Sequence, residues 1–135
     1  MTRLGPALLG LAAAAAATVL PAQALARRHR VHLPPVDLPR ALTVDESEWA
    51  VQPSKTLLGT GTVTINAYNR GQDNHNFVIS DAAGNVAEKI LLIPGQSATV
   101  TASLRPGTYR LFCSLYAGTP ESHYRRGMHT TITVR

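Results

Sequence analysis

Four side chains with nitrogen or sulfur donors are spaced through the second half of the chain. His75 comes alone, whereas Cys113, the only cysteine, is followed by His123 and Met128 within sixteen residues. Two imidazoles, one thiolate and a weak, long thioether contact suit copper that alternates between Cu(I) and Cu(II). Such a centre reorganises little when an electron moves. The spacing therefore indicates a copper centre with three of its ligands on one loop.

Each of these residues, taken singly, has a plainer interpretation. A lone cysteine on a strand is commonly a small buried apolar side chain, and a lone methionine commonly fills a core. His75 could cap a strand, and His123 could be an exposed loop residue. A metal-free domain that packs the same side chains is therefore the alternative. The single cysteine also excludes an internal disulfide framework and a zinc site built from several thiolates.

The segments that would position these residues alternate apolar and polar side chains with a period of two. This alternation is clearest in residues 62–68 and 97–104. Other apolar segments, set apart by turn residues, are 77–79, 86–93, 108–115 and 130–134. With the segments around Leu42 and Trp49, the count reaches seven or eight strands. This count predicts an all-β Greek-key sandwich, with Trp49 in its core or at its rim.

The first 26 residues have the features of a secretory signal peptide. Arg3 precedes an apolar run at residues 8–19, which is about half of the ~20 residues needed to span a bilayer. Small residues then offer cleavage after Ala24 or after Ala26. We expect a secreted or periplasmic protein that does not span a membrane after cleavage.

Residues 27–40 are basic and rich in proline, and they have no period of two or 3.6. Such a segment cannot bury one coherent face, so we predict a tail or linker. Residues 41–135 would then form the single folded domain, because a chain of 135 residues has room for one core.

Three short motifs surround the candidate ligands. They are Asn74-His-Asn-Phe77, Pro106-Gly-Thr-Tyr-Arg-Leu-Phe-Cys-Ser114 and His123-Tyr-Arg-Arg-Gly-Met128. Together they resemble the motifs of the cupredoxins, the blue copper family of plastocyanin and azurin, and the resemblance covers residues 41–135. It implies a cupredoxin-like fold and one type 1 copper ion with the ligands His75, Cys113, His123 and Met128.

The same resemblance implies roles for two further residues. Asn76 would match the asparagine that ties the first ligand loop to the cysteine segment, and Ser114 lies beside the cysteine in that segment. One feature departs from the family pattern, since nine residues separate Cys113 from His123. Plastocyanin-like members have only a few residues at this place.

The long segment between Cys113 and His123 contains helix-start signals. Residues 119–121 offer an N-cap threonine, a proline at the first helical position and an acid in the first turn, and Gly127 is placed to end a helix. We therefore expect a short helical turn that carries His123 to the copper. This turn would leave three residues near the surface: Tyr124, Arg125 and Arg126.

Thirteen Lys and Arg against eight Asp and Glu give a formal net charge of +5. This balance can attract acidic partners, but it does not choose among them. The scattered basic residues and the expected export argue against nucleic acid. Tyr124, Arg125 and Arg126 are a candidate docking patch for an acidic redox protein. The alternative is that the two adjacent arginines are ordinary solvated side chains without a docking role. We expect the protein to be a monomer.

Three functional classes are open at this point. The favoured one is a one-electron carrier that transforms no substrate and releases its electron through the ring edge of His123. The second is a copper storage or delivery module, which needs exchangeable metal. A thiol enzyme fits poorly, because no orienting residue or oxyanion loop accompanies Cys113.

The processing site suggests a second copper site. If cleavage follows Ala26, the mature chain begins Arg27-Arg28-His29. A free amine, two backbone amides and an imidazole at the third position can wrap Cu(II) in square-planar nitrogen geometry. The alternative is a basic tail whose histidines bind nothing.

Overall fold

Nine strands form within residues 36–135, which are the residues that the computed structural model describes. The predicted signal peptide, most of the predicted tail and the Arg27-Arg28-His29 segment lie outside them. The strands are β1 (Ala41–Ser47), β2 (Ala50–Pro53), β3 (Leu57–Leu58), β4 (Gly61–Asn69), β5 (His75–Asp81), β6 (Val86–Leu92), β7 (Ser97–Leu104), β8 (Gly107–Phe112) and β9 (His129–Val134). Among the described residues, no helix has the length and apolar character needed to cross a membrane.

The strands form two sheets, with the orders β2-β1-β4-β7 and β3-β9-β8-β5-β6. Both sheets are mixed, because β1 pairs with β4 and β3 pairs with β9 in parallel. The predicted all-β sandwich is confirmed, with one strand more than expected. The additional strand is β3, which has only two residues and is too short to show a period of two.

Alternating side chains of both sheets fill the space between them. In β4, Val63, Ile65 and Ala67 are fully buried, as the period of two requires. They join a single apolar cluster that includes residues from both sheets. Burying one such aliphatic side chain larger than alanine contributes about 1.5–3 kcal/mol.

The interior strand β5 fixes the first candidate ligand. It lies between β8 and β6, and its residues from His75 to Ser80 are all buried. The period of two places His75 on the same face as Phe77 and Ile79, which belong to the core cluster. Asn76 consequently points to the opposite face of the sheet.

The segment from Cys113 to Met128, called here the ligand loop, forms turns and contains no regular helix. The predicted cap is present, since the Glu121 N–H donates to Thr119 Oγ1 at 3.2 Å. The N–H of Arg126 donates to the Ser122 carbonyl at 3.1 Å, which closes one helical turn that contains His123. The N–H of His123 itself donates to the Leu115 carbonyl at 3.2 Å. The helix signals therefore give a single turn and no longer helix.

Candidate metal centre

Three of the four predicted ligands meet at one end of the sandwich. Donor atoms of His75, Cys113 and His123 all lie within 4.8 Å of one another. The His123 Nδ1 atom is 3.2 Å from His75 Nδ1 and 3.4 Å from Cys113 Sγ. All three residues are buried. Two imidazole nitrogens and one thiol sulfur converging at this spacing fit a copper ion.

Met128, the fourth predicted ligand, is fully buried and directly precedes β9. Its backbone N–H donates to the His123 carbonyl at 3.0 Å, and its carbonyl accepts the Cys113 N–H at 3.0 Å. The backbone of Met128 is thus bonded to two of the other ligand residues. These bonds hold the ligand loop closed around the centre.

Asn76 and Ser114, both expected beside the ligands, are in direct contact. Asn76 Oδ1 accepts the Ser114 N–H at 2.6 Å, and Asn76 Nδ2 donates to Ser114 Oγ at 2.9 Å. The backbone N–H of Asn76 donates to Cys113 Sγ at 3.3 Å. One residue of β5 therefore fixes both the cysteine segment and the sulfur atom.

Burial sets the protonation of the three donors before any metal binds. It raises the pKa of the Cys113 thiol, and the Asn76 N–H acts in the opposite direction. It lowers the pKa of His75 and of His123, and the neighbouring His75 lowers that of His123 further. The low pKa values favour neutral imidazoles with a free lone pair. A metal ion must displace the thiol proton, as a coordinating ion does.

Trp49 and Glu48 contact the histidines, although the sequence did not assign them to the site. Trp49 packs against the apolar cluster, which confirms the predicted core or rim position, and its ring also meets the His123 ring edge-on, with centroids 5.2 Å apart. Glu48 Oε1 lies 3.4 Å from His75 Nε2, without the alignment of a hydrogen bond. Backbone hydrogen bonds, that from Asp73 first, lower the pKa of Glu48 to about 2. The carboxylate is therefore charged.

The burial of the Glu46 carboxyl group was not predicted from the sequence. Glu46 is fully buried, and within the described residues neither of its oxygens has a hydrogen-bond partner. Desolvation raises its pKa to about 8. The period of two in β1 contained the signal, because Glu46 follows Leu42 and Val44 on the inward face.

The surface over the centre is an open cleft of about 560 Å³. His123, only 3% exposed, lies at its base, and Tyr116 covers another part of the ring with centroids 5.2 Å apart. The rim is mixed in charge, because Asp73, Glu121 and Arg126 border the cleft with the aromatic rings.

Of the three residues of the candidate docking patch, Arg126 lines this cleft, whereas Tyr124 and Arg125 do not. Tyr124 is half-buried, with its ring stacked on His129 at 4.4 Å. Arg125 and Arg126 are exposed. The Arg126 guanidinium lies 4.4 Å from the centroid of the Trp49 ring, which is a cation–π contact.

Comparison with known proteins places this geometry in context. A family model described as a cupredoxin-like domain matches residues 10–124, a span that includes His75, Cys113 and His123 and ends before Met128. No curated protein matches the chain. Dithionite-reduced auracyanin from Roseiflexus castenholzii is similar, with 25% identity and a TM-score of 0.57 over 73% of this chain and 98% of that one.

Two further solved structures are similar at lower scores. A purple cupredoxin from Nitrosopumilus maritimus has 18% identity and a TM-score of 0.47, over 71% of this chain and 99% of its own. A multicopper oxidase from Pediococcus acidilactici has 11% identity and a TM-score of 0.49, over 75% of this chain and 27% of its own.

Proposed function

The chain belongs to the cupredoxin family, and we propose that it is an exported type 1 copper protein that carries single electrons. His75, Cys113 and His123 would hold the copper, with Met128 as the weak fourth ligand. The observation that carries this proposal is the convergence of two Nδ1 atoms and one sulfur within 4.8 Å. Copper, when bound there, supplies a one-electron couple between Cu(I) and Cu(II).

The protein's own part in this function is to hold the donors still and keep water away. His75 is fixed by an interior strand, and the ligand loop is held by the backbone bonds of Met128. Fixed donors need not move when the charge of the bound ion changes, which keeps electron transfer rapid.

His123 is the proposed exit for the electron. It is the ligand at the base of the open cleft, and the rings of Trp49 and Tyr116 border it. A partner bound at this cleft would lie closer to the ring edge of His123 than to any other ligand in the cluster. In this proposal no substrate is transformed, so the protein is not an enzyme.

The proposed partner is an acidic redox protein that docks at Tyr124, Arg125 and Arg126. Two exposed arginines beside the electron exit and a net charge of +5 support this proposal. Charges of this kind act mainly on the rate of association.

Storage or delivery of copper is the competing function. It requires metal that exchanges readily, whereas the three donor residues here are at most 3% exposed. This burial favours retained metal and therefore the carrier.

Addition of Cu(II) to the purified apoprotein tests the proposed function. We expect an intense blue absorption that disappears on reduction and returns on oxidation, because the colour arises from a copper–thiolate bond. Cys113→Ser should abolish the band, since a hydroxyl cannot replace the thiolate. A colourless wild-type complex, or a blue Cys113→Ser variant, would overturn the proposal. Rapid loss of the copper to a chelator would favour storage or delivery.

A further inference from the structure

The two histidines of the centre are contacted by adjacent residues of a single turn. Strand β1 ends at Ser47 and β2 begins at Ala50, so only Glu48 and Trp49 form the connection. Trp49 has a φ of 65°, in the left-handed region that bulky residues rarely adopt. Backbone of this kind persists where the surroundings determine it, often at functional sites.

The first residue of the turn reaches the first histidine. Glu48 Oε1 accepts the N–H groups of Gln72 at 2.6 Å and of Asp73 at 2.9 Å, and it lies 3.4 Å from His75 Nε2. A Cβ atom on Gly71 would overlap the Glu48 carboxylate, so the glycine makes room for it. The carboxylate is thus seated beside the nitrogen of His75 that faces away from the Nδ1 cluster.

The second residue of the turn reaches the second histidine. The Trp49 ring packs edge-on against His123 and carries the Arg126 guanidinium 4.4 Å from its centroid. The Trp49 carbonyl also packs closely against the ligand loop. A Cβ atom on Gly127 would lie 2.9 Å from the Trp49 carbonyl oxygen. Trp49 therefore touches the ligand loop at His123 and at two residues between His123 and Met128.

We propose that the Glu48–Trp49 turn is a clasp that positions both histidine ligands. The negative charge of Glu48, 3.4 Å from His75 Nε2, attracts the N–H at that nitrogen, which orients His75 and raises its strength as a donor. Trp49 fixes the ring of His123. Carboxylates beside the non-coordinating nitrogen of a metal-bound histidine act in the same way as Glu48, and their removal typically reduces metal affinity 10–100-fold. This inference rests on the proposed copper site.

The clasp also connects the two sheets. Glu48 and Trp49 belong to the four-stranded sheet through β1 and β2, whereas the ligands belong to the five-stranded sheet and its loops. The turn is consequently the place where one sheet contacts the metal centre held by the other. Both residues are therefore positioning residues.

Reduction potentials of the copper-loaded variants test the Glu48 part. Glu48→Gln keeps the size and an acceptor oxygen but removes the negative charge that favours Cu(II). We expect the ratio of Cu(II) to Cu(I) affinity to fall about tenfold, which corresponds to a potential about 59 mV higher. Glu121→Gln is the matched control, since it removes an equal charge from the same rim. Equal shifts in the two variants would overturn the role of Glu48.

Copper release to a chelator tests the Trp49 part. Trp49→Ala should release Cu(II) about tenfold faster and change its electron paramagnetic resonance spectrum, because the His123 ring loses its support. Trp49→Phe keeps an aromatic edge and should recover most of the wild-type rate. Should Trp49→Ala fail to fold, Trp49→Leu removes the aromatic edge and keeps an apolar side chain. Wild-type release from a folded Trp49→Ala or Trp49→Leu protein would overturn this part.

The outcomes distinguish the clasp from the copper site itself. A wild-type protein without a blue band contradicts the proposed function and the clasp together. A blue wild-type protein whose Glu48 and Trp49 variants match it contradicts only the clasp.

Discussion

Asn76 joins the metal centre through side chain and backbone at once. Its side chain bonds the N–H and the hydroxyl of Ser114, and its backbone N–H reaches Cys113 Sγ. Only the two hydrogen bonds to Ser114 depend on the side-chain amide of Asn76. A substitution at this position therefore separates the stability of the cysteine segment from the hydrogen bond to sulfur.

We expect Asn76→Ala to lower the free energy of unfolding by about 1–3 kcal/mol, because the Ser114 N–H loses its partner in a half-buried place. Urea denaturation of the apoprotein measures this change. Ser114→Ala is the matched control, since it removes the hydroxyl alone and should cost only ~0.5–1.5 kcal/mol. Equal losses in both variants would show that the Asn76 bond to the backbone contributes little.

Met128, the proposed fourth ligand, differs from the other proposed ligands because a thioether donates only weakly. Met128→Leu keeps an apolar side chain of similar size, so the blue band should remain while the reduction potential rises. A loss of Cu(II) preference of tenfold corresponds to ~59 mV, and we expect a shift of at least roughly that size. Potentiometric titration measures it. A colourless variant would contradict a purely weak axial role.

At the level of elements, the ligand loop carries both the proposed electron exit and the proposed docking patch. Replacing Arg125 and Arg126 together by glutamine should slow electron exchange with an acidic redox protein several-fold at low salt. The difference should shrink as added salt screens the charges. Stopped-flow rates at several ionic strengths measure it. Arg125→Gln alone is the control that leaves the contact between Arg126 and Trp49 intact.

The elements also show what the sequence could and could not predict. Strands such as β4 could be predicted because apolar and polar residues alternate along them in the same order as buried and less buried positions. The role of the turn at Glu48 could not be predicted, since its contact with His75 spans 27 residues and exists only after two sheets have packed. The helix signals at Thr119 predicted a cap that forms and a single turn that the bond from Arg126 to Ser122 closes. A contact distant in sequence therefore accounts for the failure to predict the role of Glu48.

At the scale of the whole sandwich, the core of the described residues contains the carboxyl group of Glu46. Glu46 lies on the inward face of β1, where it lacks hydrogen-bond partners among the described residues. A charge buried without a partner is so costly that the group keeps its proton instead. The stability of the entire sandwich should for this reason depend on pH.

The direction of that dependence follows from the raised pKa of Glu46, about 8 against an ordinary 4.5. Below pH 4.5 both folded and unfolded chains hold the proton. Between these values only the folded chain keeps it, so stability falls as the pH rises, by up to about 1.4 kcal/mol per pH unit. Above pH 8 both forms are ionised, and the loss is complete.

Glu46→Gln removes this titration while preserving the volume of the side chain. We expect the variant to gain stability relative to the wild type from pH 5 to pH 9, by a few kcal/mol in total. Urea denaturation of the two apoproteins at pH 5, 7 and 9 measures the difference. Other titrating groups, including His75 and His123, are common to both proteins and cancel in the comparison. Parallel stability curves would show that Glu46 is ionised in the folded chain or reaches water, and that the core does not hold a neutral acid.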